Sequence, residues 1–183
     1  MAHLLARPQI SRARSLSDLL ARRLKEEKSK MNDWKLPWKA SCLCGKVQMT
    51  VTQAPLSSWA CHCKGCQKLT AGPYSLTLFL PKAGVTVEGE TEQGGLHGPN
   101  DLRYCAHCKS WLFNSIPGAP DFVCFRATML EDASWVVPFV EMWTETKLPG
   151  VATGAQRSFE RYPPDAQFAG IMADFNRYSV RPS

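Results

Sequence analysis

The sequence predicts a mainly β fold with few short helices. Three observations carry this reading. Short apolar stretches alternate with polar residues at the two-residue period of a strand. Thirteen Pro and twelve Gly punctuate the 183 residues, so that helices beyond about three turns are excluded. Seven of the eight cysteines fall into three tight clusters, as in small β turns that share a ligand.

Taken in order, Lys46–Thr52 alternates apolar and polar side chains and reads as a strand that Pro55 ends. Tyr74–Leu80 is rich in aromatic and aliphatic residues and stops at Pro81. Val85–Glu88 is a further short strand before Gly89. Glu92–Asp101 reads as a loop because Gly94, Gly95, Gly98, Pro99 and Asn100 all favour turns. Trp111–Phe113, Phe122–Phe125 and Val136–Val137 are the later strand candidates. A helical turn is expected at Gln67–Thr70, a surface-running segment over Thr146–Asp165, and a closing helix over Phe168–Tyr178. No internal repeat is present.

Residues 1–33 differ from the rest and are read as a basic N-terminal tail, with residues 34–183 as the domain. The tail has leucines at helical spacing over Ser17–Lys28. Its arginines and serines leave an organellar transit peptide as the alternative, so the compartment reads as cytoplasmic, or mitochondrial if residues 1–30 are such a peptide. Met31 is a second possible start. The net charge of +6 is concentrated there: eight Lys/Arg against four Asp/Glu in residues 1–33, and fourteen against twelve in the remaining 150. The domain is close to neutral, which argues against a nucleic-acid partner. No apolar run approaches the roughly 20 residues needed to cross a bilayer, so no membrane role is read. There is no dinucleotide fingerprint, no phosphate-cradling glycine loop and no Ser-His-Asp arrangement.

The cysteine clusters are Cys42-Leu43-Cys44, Cys61-His62-Cys63-Lys64-Gly65-Cys66 and Cys105-Ala106-His107-Cys108. In C-x-x-C the chain turns tightly and two sulfurs converge from one loop. In C-x-C along a strand, both sulfurs lean to one face. Such half-sites suit zinc, which closes a structural site with four ligands and keeps an open position with three. A disulfide framework would need a secretory signal, and none is apparent. Ferredoxin-like spacings are absent. Spacing does not fix which cysteines share an ion, and the simplest partition joins Cys42 and Cys44 to Cys105 and Cys108. Cys124, alone in an apolar run, reads as a small buried hydrophobe. On a strand His62 would face away from Cys61 and Cys63, and His107 reads as solvent-facing. His3 lies in the tail, and His97 in the glycine loop could approach a ligand.

Several strings resemble the glutathione-dependent formaldehyde-activating enzyme family. They are Ser41-Cys42-Leu43-Cys44-Gly45-Lys46-Val47, Cys61-His62-Cys63-Lys64-Gly65-Cys66-Gln67-Lys68 with Ala71-Gly72-Pro73-Tyr74-Ser75, and Arg103-Tyr104-Cys105-Ala106-His107-Cys108. Phe125–Asp132 and Glu141–Glu145 are similar to the family's later strands. The resemblance spans roughly Trp38–Pro149. It implies an Mss4-like fold of twisted β-sheets, a structural zinc on Cys42, Cys44, Cys105 and Cys108, and a second zinc on Cys61, Cys63 and Cys66. It also implies a carbon–sulfur lyase that joins a glutathione-type thiol to an aldehyde, with Cys61, Cys63 and Cys66 as the catalytic set. Two departures are Lys109, where the family often has Gly, and Tyr104, where Phe is common. The alternatives are an Mss4-like protein-interaction module with both zincs structural, and a related enzyme on another small molecule such as an imine. Glu141, Tyr74 and His62 are candidates for an assisting acid or base.

Overall fold

The computed structural model describes residues 33–95 and 100–183. The tail helix, His3 and His97 fall outside them. The described residues are mostly β, as expected: eleven strands in two sheets, with helices of only seven and eleven residues.

The smaller sheet is antiparallel, with β1 (Trp38–Ser41), β2 (Gln48–Val51) and β5 (Val85–Glu88) side by side in that order. The larger sheet has the order β11-β10-β3-β4-β9-β8-β7-β6. Its strands are β3 (Ser57–Cys61), β4 (Ser75–Pro81), β6 (Thr91–Gln93), β7 (Asp101–Cys105), β8 (Trp111–Ile116), β9 (Ala119–Arg126), β10 (Val140–Met142) and β11 (Arg157–Ser158). Only β10 is parallel to its neighbours, β3 and β11; the other pairs are antiparallel. Met49 and Val51 of the small sheet and Leu78, Leu80, Val123 and Phe125 of the large one share one buried core. Each apolar side chain withdrawn there contributes about 1.5–3 kcal/mol.

Two helices complete the described fold. α1 (Lys64–Thr70) follows β3 directly and is a turn longer than the sequence predicts, because Cys63 serves as its N-cap. α2 (Phe168–Tyr178) matches the expected closing helix and buries Ile171 and Phe175. Phe175 stacks on Trp34 at 5.8 Å, and Trp34 meets Trp135 edge-on at 5.8 Å, so the C-terminal helix is anchored on an aromatic cluster at the start of the domain.

Some expectations need correction. Val136–Val137 is not a strand: Val136 N–H closes a turn onto Ala133 O, and Pro138 has no N–H for a ladder. The strand starts at Val140. β1 and β3 were not legible, and β3 is buried at all five positions, so it shows no alternation. Glu92–Gln93, read as loop, pairs with β7, where the ladder overrides weak propensity. Cys124 is not a core residue: it is half-buried, on the sheet face opposite Val123 and Phe125.

Candidate metal centre

The first cysteine group joins the two sheets. Cys42 and Cys44 sit in the turn between β1 and β2, whereas Cys105 ends β7 and Cys108 lies in the turn that leads to β8. Both turns are knuckles of the same kind, with Cys42 N–H donating to Val47 O and Cys105 N–H to Ser110 O, each at 3.0 Å. Gly45 has φ +74° and Lys109 φ +62°, so both knuckles need a left-handed residue where only glycine is unstrained. Here Lys109 is held by Glu92 Oε1 and Ala106 O, each 2.7 Å from its Nζ. Ser110 links the knuckles, its hydroxyl accepting from Leu43 N–H at 3.2 Å and lying 3.2 Å from Cys108 Sγ.

The four sulfurs lie within 4.8 Å of one another, with Cys42–Cys44 at 3.5 Å and Cys44–Cys105 at 3.9 Å. These are not disulfides, whose sulfurs lie about 2 Å apart. A tetrahedral ion held at about 2.3 Å by each sulfur sets neighbouring sulfurs roughly 3.8 Å apart. The donor set fits zinc. Cys108 is brought down to about 5, chiefly by its Ser110 hydroxyl contact, so one ligand is ready as thiolate.

The second group is Cys61, Cys63 and Cys66, also within 4.8 Å. Cys61 ends β3, and the chain turns into α1 at once. Cys63 Sγ accepts the Cys66 N–H at 3.3 Å as the helix N-cap, which is why a C-x-x-C places both sulfurs together. Cys61 is buried, whereas Cys63 and Cys66 are half-exposed, so the group is reachable from outside. Hydrogen bonds from the Cys61 and Cys66 thiols draw Cys63 far below the usual thiol range. The same contacts, with burial, hold Cys61 well above it. Ser75, buried on β4, is paired across the ladder with Cys61. Among the described residues no histidine or carboxylate joins the three sulfurs.

His62, Glu141 and Tyr74 lie behind this group. Glu141 is paired with Ala60, and Met142 with Cys61, so the Glu141 carboxylate and the Cys61 thiol occupy opposite faces of the sheet. The fully buried His62 places Nε2 3.3 Å from Glu141 Oε2 and Nδ1 3.3 Å from Pro73 O, and Tyr74 packs edge-on against it at 5.3 Å. Glu141 also accepts from Lys147 at 2.7 Å, Thr153 at 2.8 Å and Ser158 at 3.0 Å. Gln67 Nε2 donates to His62 O at 2.6 Å and to Thr146 O at 2.8 Å, and the Thr146 hydroxyl donates to His62 O at 2.9 Å. The network fastens the cysteine loop to the C-terminal segment. Gln67 and Thr146 carried no signal in the sequence because the contacts that join them to each other and to His62 span some 80 residues, and Lys147 carried none because it lies in an irregular segment. His107 is exposed in its knuckle, as expected.

Burial alone would push the Glu141 carboxyl up, but the Lys147, Thr153 and Ser158 hydrogen bonds and the Lys147 charge outweigh it and bring it down to about 2. A carboxyl depressed on folding stabilises the fold above its unfolded pKa and loses that contribution as pH falls through the folded value. Thermal unfolding measured against pH is therefore expected to decline from about pH 4.5 towards pH 2. Glu141→Gln should cost about 2–3 kcal/mol at neutral pH and flatten that acid limb. An unchanged profile in the variant would show that the network carries no such weight.

A family model described as glutathione-dependent formaldehyde-activating enzyme matches residues 37–146, more than half of the chain and all seven clustered cysteines. A solved Rhodobacter sphaeroides protein is similar at 15% identity and TM-score 0.41, covering 66% of this chain and 98% of its own. No curated protein matches. With its seven cysteines gathered in two groups inside the matched segment, the chain belongs to the glutathione-dependent formaldehyde-activating enzyme family.

Proposed function

We propose that this protein is a zinc-dependent carbon–sulfur lyase of the S-hydroxymethylglutathione synthase type, acting on a small glutathione-type thiol and an aldehyde. The observation that supports it is the contrast between the two groups: four cysteines that would complete a tetrahedron around an ion, and three, with Cys63 and Cys66 half-exposed, that would leave one corner open. Zinc on Cys61, Cys63 and Cys66 would hold an incoming thiol as thiolate and polarise a carbonyl. Cys42, Cys44, Cys105 and Cys108 would hold a structural zinc.

The chain's own residues set this up. Cys63 as N-cap and the Gln67 and Thr146 bonds to His62 O hold the three sulfurs convergent before any ligand arrives. The reaction is an addition without redox change: the thiol sulfur forms a bond to the aldehyde carbon, the carbonyl π bond opens, and the thiol proton ends on the oxygen. The reverse splits the same carbon–sulfur bond. Glu141 and His62 serve the scaffold, since Glu141 faces away from Cys61 and both are engaged with each other. Among the described residues no helix is long and apolar enough to cross a membrane.

The test is exchange spectroscopy with carbon-13 formaldehyde and glutathione. The protein loaded with two zincs is expected to accelerate interconversion of free aldehyde and hydroxymethyl thioether above the spontaneous rate. Exchange at the uncatalysed rate would reject this substrate pair. If cobalt substituted at the second group also ignored every added thiol, the thiol-accepting site would be rejected with it.

A further inference from the structure

A buried cation with no carboxylate partner among the described residues lies on the same sheet face as the three-cysteine group. Arg126 ends β9 and is only 5% exposed. It is paired across the ladder with Thr77, whose strand neighbour two residues earlier, Ser75, is paired with Cys61. Residues two apart on a strand share a face, so Cys61, Ser75, Thr77 and Arg126 project to one side.

The guanidinium is incompletely satisfied. Its Nη2 donates to Asn114 Oδ1 at 3.0 Å and to Cys124 O at 3.3 Å. Its face lies 4.0 Å from the centre of the Trp111 ring, and Trp111 in turn is stacked on Tyr104 at 6.2 Å and 12°. The ladder skips Leu112 of β8 between the pairs Arg103–Phe113 and Tyr104–Trp111, and this bulge brings Trp111 to the face of Tyr104. Five buried side-chain polar atoms lack a partner among the described residues, and three belong to this stack: Arg126 Nε, Trp111 Nε1 and Tyr104 Oη. All three can donate a hydrogen bond. Buried donors are normally paired and a buried charge normally has a counter-charge, so this concentration points to a missing anionic acceptor. Trp111, Tyr104 and Asn114 are half-buried residues, whereas the three donor atoms themselves are shielded from solvent. Gly95 passes Tyr104 so closely that a Cβ there would be 3.2 Å from the hydroxyl and 3.4 Å from Leu69, on the helix that carries Cys66.

We propose that Arg126, Trp111 and Tyr104 form the seat for a carboxylate on the thiol that the three-cysteine group accepts, making this a site selective for anionic thiols. The assignment rests on the thiol-accepting reading of Cys61, Cys63 and Cys66. A planar anion suits a guanidinium edge, and the indole and phenol donors add direction. Asn114 fixes the guanidinium from its far side through Oδ1, and is a positioning residue.

The test compares two thiols of similar size on the full chain with cobalt in the metal sites, following the sulfur-to-cobalt absorption. The thiols are 3-mercaptopropionate, with a carboxylate, and 2-mercaptoethanol, with a hydroxyl. The wild type is expected to bind the first at least about tenfold more tightly, the worth of a charge-assisted hydrogen bond. Arg126→Gln should reduce that preference to within about twofold while leaving 2-mercaptoethanol affinity in place, and Arg126→Lys should restore part of it. Trp111→Phe keeps an aromatic face but removes the N–H, and should lower the preference several-fold even if the arginine variants fail to fold. Equal affinities in the wild type, or equal weakening of both thiols in Arg126→Gln and no change in Trp111→Phe, would overturn the seat while leaving the lyase reading intact. If neither thiol perturbs the spectrum, the thiol-accepting site itself is refuted, and the seat with it.

Discussion

Cys105→Ser is expected to lose one equivalent of zinc and most of the protein's thermal stability. Cys105 is 1% exposed, and its knuckle faces that of Cys42 and Cys44 across the boundary between the two sheets. Metal at these four sulfurs would tie the β1–β2 turn to the β7–β8 turn, which are some 60 residues apart in sequence. Binding free energy at a structural zinc is folding free energy, on the order of 10 kcal/mol or more in small metallo-domains. The larger core spares part of that loss, so a fall of at least about 5 kcal/mol is expected, or roughly 15 °C in a domain of this size. Metal analysis beside thermal unfolding checks it. A variant that melts with the wild type and retains full zinc would show that this group does not hold the sheets together.

Cys63→Ala is expected to behave in the opposite way, keeping the fold and abolishing turnover. Cys63 is half-exposed, and its group belongs to one continuous segment, the end of β3 and the start of α1, so its loss unfastens no distant elements. It does remove a third of the ligand set and the N-cap of α1, the latter worth about 1 kcal/mol. The metal at that group should fall to a small fraction, leaving about one zinc per chain. Adduct exchange should drop by two orders of magnitude or more, the equivalent of several kcal/mol of lost charge stabilisation. Two zincs with full activity in this variant would remove Cys63 from the site. Read together, the two variants separate a metal that holds the fold from one that serves the reaction.

Much of the fold was legible because its cues are local. Val85–Glu88 shows strand bounds in the sequence that match the structure, since Gly84 and Gly89 close it on both sides. Phe168–Tyr178 matches as a helix, its apolar residues recurring at helical spacing. Within Lys46–Thr52 the ladder keeps only Gln48–Val51, with Met49 and Val51 turned inward as the alternation requires. Ser57–Cys61 gave no such signal, because a strand covered on both faces has no polar side to reveal its period. The placement of Glu141 was equally hidden. A carboxylate in a buried strand looks like an active group, and only its four partners show it to be a strut.

By itself the sequence determined the seven cysteines, their pairing into short half-sites, the β class and the family, since a C-x-C or C-x-x-C converges within one turn whatever surrounds it. Tertiary structure alone decided that Cys42 and Cys44 meet Cys105 and Cys108, that Glu141 faces away from Cys61, and that Arg126 lies over Trp111 beside the open cysteine group. Those contacts depend on strand order, register and one bulge. In a sheet a shift of a single residue sends a side chain to the other face, and register is set by the packing of the whole core rather than by any neighbour in the chain.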